Sequence, residues 1–291
     1  MNSAAIIVTY NPDLAALVRL CHALAGSAQV IVVDNSEPAQ VRAPELPPGC
    51  RVLALGHNAG IAHAQNVGIN AARAGGAGLI FFFDQDSTID ASYVLRMAQG
   101  VDPQVAAVYG PVCIDAARGF EYPAYRLGRF GLPRPVSSAG QPRLYPVDLI
   151  ISSGSLATAA ALDKAGLMDE DFFIDYVDLE WCLRCRSRAI PIFMNQNVTM
   201  THSVGMRSVK LGPITTFIHS PLRTYYKMRN PFLLLRKKDV GLPYAAREIA
   251  SALLHHLLQL LMLGERRKYA GPIAAGLRDG RPGPRICSAP T

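Results

Sequence analysis

The sequence predicts an α/β protein: a mostly parallel central sheet with helices on both faces, extended by basic amphipathic C-terminal helices. Three observations carry this. Apolar, β-branched runs alternate with helix-periodic segments along the first third of the chain. Polar residues gather where those runs end. Positive charge is concentrated late: residues 223–291 hold 13 Lys/Arg and 4 Asp/Glu, whereas residues 1–222 hold 16 and 18.

Each element can be justified in order. "AAIIVTY" (4–10) is a strand stopped by Asn11-Pro12. "DLAALVRLCHAL" (13–24) has helical periodicity with Asp at its start. "VIVVDNS" (30–36) is a second strand ending in an acid, and "RVLALG" (51–56) a third. "IAHAQNVGINAARAGG" (61–76) is a helix closed by glycines, and "LIFFFDQDS" (79–87) a fourth strand. Gly110–Pro146, rich in Gly, Pro, Arg and Tyr, reads as loops. Residues 147–166 give a short strand, a Ser/Gly turn and a helix; residues 169–188 place acids ahead of another helix. "RTYYKMRNPFLLLRKK" and "REIASALLHHLLQLLMLGERRK" are basic amphipathic helices, and the last fifteen or so residues form a frayed tail.

Composition narrows the function classes. The 291 residues are 50% apolar, enough for a sizeable core. No apolar run approaches the roughly 20 residues needed to span a bilayer, and "AAIIVTY" is too short for a signal segment. Six scattered cysteines suit a reducing cytoplasm. Cys182-x-x-Cys185 has no second pair to complete a zinc site and reads as incidental helix thiols. The basic segment asks for an acidic partner. An anionic membrane surface, packing on the rest of the chain and a second subunit (a homodimer) all remain open for it, and no pattern singles out nucleic acid.

In a doubly wound sheet, ligands bind beyond the carboxyl ends of the strands. Thr9, Asp34, Asn58, Asp84 and Asp86 all fall there. Asp84 and Asp86, two apart after a buried strand, repel unless a cation joins them. Hard carboxylate oxygens suit Mg2+ or Mn2+, with a nucleotide diphosphate completing the shell; a solvated turn is the plainer alternative. Asp34 suits a ribose hydroxyl or a turn. "TYNPDL" after the first strand carries no Gly-x-Gly-x-x-Gly, which argues against a dehydrogenase.

"IIVTYN", "VIVVDNS", "GHNAGIAHAQNVGI", "FFFDQDS", "SGSL" and "FFIDYVDLEWCLR", in this order over residues 4–240, resemble the inverting family 2 glycosyltransferases of GT-A fold, a Rossmann-like architecture. With "HSVG" and "YYKMRNPFLLLRK" the chain is similar to the rhamnosyltransferases of O-antigen and polysaccharide assembly, which use dTDP-L-rhamnose. That resemblance implies nucleotide-sugar contacts from Thr9, Tyr10, Asn11, Asp34, Asn58, Gly60, Asn66, Asp84 and Gln85. It implies a divalent metal at Asp84 and Asp86, with His202 open between a metal or diphosphate contact and a structural hydrogen bond. It implies Asp178 as general base, with Asp175 as its rival, since Val177 stands where relatives often have another acid. Capping of the following helix is the alternative for both. The acceptor side falls to Ser153, Gly154, Ser155, Glu180 and Trp181, although the serines also suit a helix cap and Trp181 the core.

The expected organisation is a catalytic domain over 1–222, with a nucleotide-sugar half to about 110 and an acceptor half after it, and an extension over 223–291. The expected activity is transfer of a sugar to a lipid-linked or polysaccharide acceptor, by a peripheral protein at the cytoplasmic face of the membrane. A sugar nucleotidyltransferase is an alternative, though it wants a basic Gly-rich loop after the first strand. A non-catalytic membrane-associated assembly protein is another.

Overall fold

Alternation within the first strands sets the layering. In β4 (Leu79–Asp84), Phe81 and Phe83 enter one core and Phe82 the opposite one. Each ring is nearly inaccessible, so each adds about 2–3 kcal/mol of burial. The computed structural model of the chain describes residues 2–115, 119–129, 131–202, 207–211, 214–262 and 266–281, with the backbone alone at 202, 207–211, 214–218 and 262.

The elements that precede and follow β4 complete a doubly wound half. They are β1 (Ser3–Thr9), α1 (Leu14–Ala25), β2 (Gln29–Asp34), β3 (Arg51–Ala54), α2 (Ile61–Ala74) and α3 (Tyr93–Ala98). The Asp13 carboxylate caps α1 by accepting from Ala16 N at 3.1 Å. The second half carries β5 (Val108–Asp115), β6 (Glu121–Tyr122), β7 (Ala124–Leu127), β8 (Pro133–Val136), β9 (Leu144–Val147), β10 (Leu156–Thr158), α4 (Ala159–Ala165), α5 (Val177–Ser187) and β11 (Ile192–His202). A hairpin, β12 (Arg207–Leu211) and β13 (Ile214–Ile218), leads to α6 (Pro221–Arg236), α7 (Leu242–Met262) and α8 (Arg266–Asp279).

The sheet runs β3-β2-β1-β4-β10-β5-β11-β9, with β6 on β5. β3, β2, β1 and β4 are mutually parallel, as are β5 and β11; β10 inserts antiparallel between the two sets. Helices α2, α4 and α5 cover one face; α1 and α3 cover the other. The α/β expectation with a mostly parallel sheet therefore holds. The segment 110–146 is not all loop: it supplies most of β5 and of β9 and all of β6 to β8, and the last four of these strands are only two to four residues long. The C-terminal basic segment forms three helices, and the expected boundary at 222 falls inside the first turn of α6.

Candidate active site

The chain order places the switch point between β1 and β4, whose ends lie side by side with Val8 opposite Asp84. Gln85 bridges them. Its Oε1 accepts from Tyr10 N at 2.7 Å and its Nε2 donates to Tyr10 O at 3.2 Å. Beyond this seam opens a cavity of about 550 Å³. Thr9, Tyr10, Asn58, Gly60, Asp84, Gln85 and Asp86 line it from the first half of the chain; Asp175 and Asp178 line it from the second. Residues more than ninety positions apart thus meet at one cleft.

Gly60 shows why the wall on the α2 side has its shape. It sits at φ +87, and a Cβ there would come within 2.6 Å of the Phe173 ring. The bare backbone lets Phe173 O cap α2, accepting from Ile61 N at 2.7 Å. Asn35 and Asn58 lace the adjoining loop: Asn35 Nδ2 donates to Asn58 Oδ1 at 3.0 Å, and Ala59 N donates to Asn35 Oδ1 at 2.7 Å.

The opposite wall is strained. Phe173, Asp175 and Tyr176 have φ of +59, +62 and +68, conformations non-glycine residues rarely adopt. Helix α6 holds them there. Asn230 Nδ2 lies within 2.9 Å of the carbonyls of Phe172, Ile174 and Asp175. Arg223 grips the Asp175 carboxylate through Nε and Nη2, both at 2.9 Å, with Lys227 Nζ at 3.5 Å. Burial pushes the Asp175 carboxyl up, but Arg223 and Lys227 outweigh it and hold it below the usual carboxylate range.

Asp178, in the first turn of α5, has the reverse balance. Burial, with the charges of Asp84 and Asp175, pushes its carboxyl up to about 6, against hydrogen bonds from the backbone of Leu179 and Ser152. A half-buried carboxylate poised near neutrality faces a cleft whose other acids are Asp84, Asp86 and the Arg223-bound Asp175. The donor set at those two residues fits a hard divalent cation: Mg2+ commonly takes one or two protein carboxylates and fills the rest from water and phosphate. Among the described residues no group of three His, Cys, Asp or Glu side chains gathers to hold a metal alone.

Several expected site residues fall outside the cleft wall. Asp34 does not line the cleft; it is wholly buried and accepts from Ser36 N, Gln40 N and Val41 N, fixing the loop after β2. Burial raises its carboxyl, and those donors together bring it below the usual range. Asn66 is turned away, its Nδ2 donating to Met168 O and Glu170 Oε1 and its Oδ1 accepting from Met168 N. Asn11 at φ +47 stands beside the cleft, accepting from Gln40 Nε2 at 2.6 Å. Ser153, Gly154 and Ser155 brace β4: Ser153 Oγ meets Asp84 N and Ser87 Oγ, and Gly154 N donates to Phe82 O. A Cβ on Gly154 would collide with Tyr93 Oη at 2.6 Å. Of that turn, Ser152 reaches the cleft.

Glu180 and Trp181 fall on the buried side of α5, where their i+4 and i−4 neighbours Arg184 and Val177 are buried too. Glu180 pairs with Arg184 at 2.6 Å, both almost wholly buried, and Trp181 Nε1 donates to Gly166 O at 2.9 Å. The Cys182 and Cys185 thiols are buried too, and burial pushes Cys182 up to about 12. The side chain of His202, and the rest of "HSVG", lie outside the described residues. Sequence reasoning missed Asn35, Gln65, Ser152 and Arg223, all lining the cleft. Arg223 alone had a signal, as the first cation of the basic segment.

Residues 4–163 match the model of a family described as "Glycosyl transferase family 2". The chain belongs to glycosyl transferase family 2. Over 281 residues it is 36% identical to the dTDP-rhamnosyl transferase RfbF of Shigella flexneri, covering 96% of this chain and 95% of that protein. In three dimensions this family 2 transferase is similar to Staphylococcus aureus TarS (residues 1–349) in complex with UDP-GlcNAc, with a TM-score of 0.57 at 17% identity over 97% of this chain and 82% of that one. GalNAc-T7 with UDP, GalNAc and Mn2+ is similar at a TM-score of 0.54 and 10% identity, over 90% and 56% of the two chains. These likenesses show the GT-A fold. The expected fold, family and enzyme class are therefore borne out.

Proposed function

We propose that this glycosyltransferase is metal-dependent and inverting, moving L-rhamnose from dTDP-L-rhamnose to a hydroxyl of a lipid-linked or polysaccharide acceptor. The observation that carries the reading is Asp178, its carboxyl raised toward neutrality, in the same cleft as Asp84 and Asp86 at the sheet's switch point. The donor follows from full-length similarity to a dTDP-rhamnosyl transferase.

The division of labour follows from position. Thr9, Tyr10, Asn35 and Asn58, which line the β1–β3 side of the cleft, would contact the nucleoside. Asp84 and Asp86 would hold Mg2+ or Mn2+, which when bound neutralises charge developing on the departing diphosphate. Arg223 and Lys227, set against the single Asp175 carboxylate, leave one positive charge beside the same region. Asp178 accepts the proton of the acceptor hydroxyl as that oxygen bonds to the anomeric carbon. The carbon–diphosphate bond breaks with its electron pair leaving on the diphosphate, so the anomeric configuration inverts.

The reading extends to an anionic membrane surface. Leu253, Leu254, Leu257 and Leu261 are exposed along α7, and Arg266, Arg267 and Lys268 are exposed at the start of α8. Apolar contact plus clustered cations is the signature of an interfacial helix on acidic lipid. Among the described residues no helix is long and apolar enough to cross a membrane.

The test is transfer from dTDP-L-rhamnose with Mn2+ present or chelated, with the anomeric configuration of the product read by NMR. Inverted product that disappears on chelation supports the reading. Retained configuration, or equal turnover without metal, overturns the mechanism.

A further inference from the structure

Asp178 lines two cavities. The second, of about 300 Å³, shares no other described residue with the donor cleft. Its walls include Tyr125, Ile151, Tyr244, Arg247 and Glu248. A transferase must seat two ligands at once, with the base reaching the hydroxyl of one and the reacting carbon of the other within contact distance. Asp84 and Asp86 belong to the first cavity alone. The second is aromatic and aliphatic with one acid and one base at its α7 side, the composition that receives a sugar ring: carbon faces against tyrosine or aliphatic surface, hydroxyls to a few fixed polar groups.

The groups are held in place. Tyr125 N donates to Leu149 O at 3.3 Å, and its carbonyl accepts from Asp148 N and Leu149 N at 2.8 and 3.1 Å. Glu248 accepts from the Tyr176 hydroxyl at 3.3 Å, tying the α7 side of this cavity to the strained loop before Asp178. Arg247 pairs with Glu248 and stays about half-exposed.

We propose that this second cavity is the acceptor subsite. It seats a hexopyranose of the acceptor glycan so that a ring hydroxyl meets Asp178, with Tyr125 and the exposed Ile151 forming the ring-facing surface and Arg247 and Glu248 reading hydroxyl positions. This rests on the transferase reading above. It gives the C-terminal extension a part in recognition: α7 is a wall of the acceptor site.

The test uses octyl glycosides of glucose, galactose, N-acetylglucosamine and rhamnose as acceptors, with dTDP-L-rhamnose and Mn2+. Tyr125→Ala removes the ring surface. Ile151→Trp, at a position 41% exposed, fills the cavity from a site that the fold does not depend on. The expected result is a KM for the best glycoside raised about tenfold or more in each variant, with dTDP affinity by calorimetry within about twofold of the wild type. An unchanged glycoside KM in Ile151→Trp, dTDP affinity falling in parallel with transfer, or wild-type transfer to none of the four glycosides overturns the proposal. A wild type that fails to bind dTDP overturns instead the donor assignment of the first cleft.

Discussion

At the residue scale, two acids of one short segment have been given opposite tasks. Asp175 is neutralised by Arg223 and Lys227 and anchors its loop, whereas desolvation and the like charges of Asp84 and Asp175 raise the Asp178 carboxyl to about 6, as the proposed base requires. Replacing Asp178 by Asn should therefore lower transfer by about 10²–10⁴-fold while dTDP affinity with Mn2+ is kept, as steady-state kinetics and calorimetry will read. The same change should stabilise the fold. The folded pKa of about 6 lies above the ordinary 3.8, so the folded state prefers the protonated form and loses stability as pH rises between those values. At pH 8 without metal, Asp178→Asn should be more stable by on the order of 3 kcal/mol, and the gap should close near pH 4, measured by thermal unfolding. Equal melting temperatures at pH 8 contradict the burial argument. Asp84 and Asp86 were legible in the sequence because their meaning is local: an apolar run, then acids. The clamp on Asp175 was not, since Arg223 arrives from 48 residues downstream.

At the element scale, α5 shows what periodicity leaves open. Its acids are visible in sequence, but which of them meets the cleft depends on how the helix is rotated against its neighbours. The buried pair Glu180–Arg184 fixes that rotation, with Arg184 Nη1 also donating to Ala165 O and Leu167 O. Glu180→Ala leaves a buried guanidinium unpaired and should cost about 3–5 kcal/mol by denaturant unfolding, whereas Glu180→Leu with Arg184→Met should recover most of it. Preserved stability in Glu180→Ala means the pair does not hold the helix. The packing of α6 against α7 carries a second signal. Burial and the charges of Lys227 and Arg223 push His219 down to about 3, against the opposing pull of Asp175. Burial, His256 and Lys227 push His255 down to about 4. Both are charged in the unfolded chain below about 6.5 and neutral when folded, so their contribution to stability is present above that pH and fades as pH falls toward 4 and 3. The protection factors of α6 and α7 amides, with the acid slowing of intrinsic exchange divided out, should fall from pH 6.5 to 4.5, and His219→Gln should flatten that change. The strands β6 to β9 escaped the sequence because they are two to four residues long, β8 and β9 carry proline, and β9 is defined by its pairing with the distant β11.

At the scale of the whole molecule, the uneven charge and the exposed leucines of α7 form one argument. The sheet and its cleft occupy the part of the chain with slight net negative charge; the positive excess lies beyond residue 222, in helices that buttress the cleft on one side and expose leucines on another. The charge asymmetry was plain in the sequence, but the sites where α6 and α7 touch the catalytic half were not, because amphipathic periodicity gives a face without naming its partner. Full-length protein should sediment with vesicles rich in phosphatidylglycerol and not with pure phosphatidylcholine, and raised salt should release it. Leu254→Glu, Leu257→Glu and Leu261→Glu combined, all at exposed positions, should lower the partition coefficient by at least about 10²-fold, since each leucine contributes about 1–2 kcal/mol when buried in the interface. Light scattering on the same samples separates the competing occupant. If the wild type is a dimer that the triple variant converts to a monomer, with no vesicle binding by either, the leucine face is a subunit interface and membrane association is refuted.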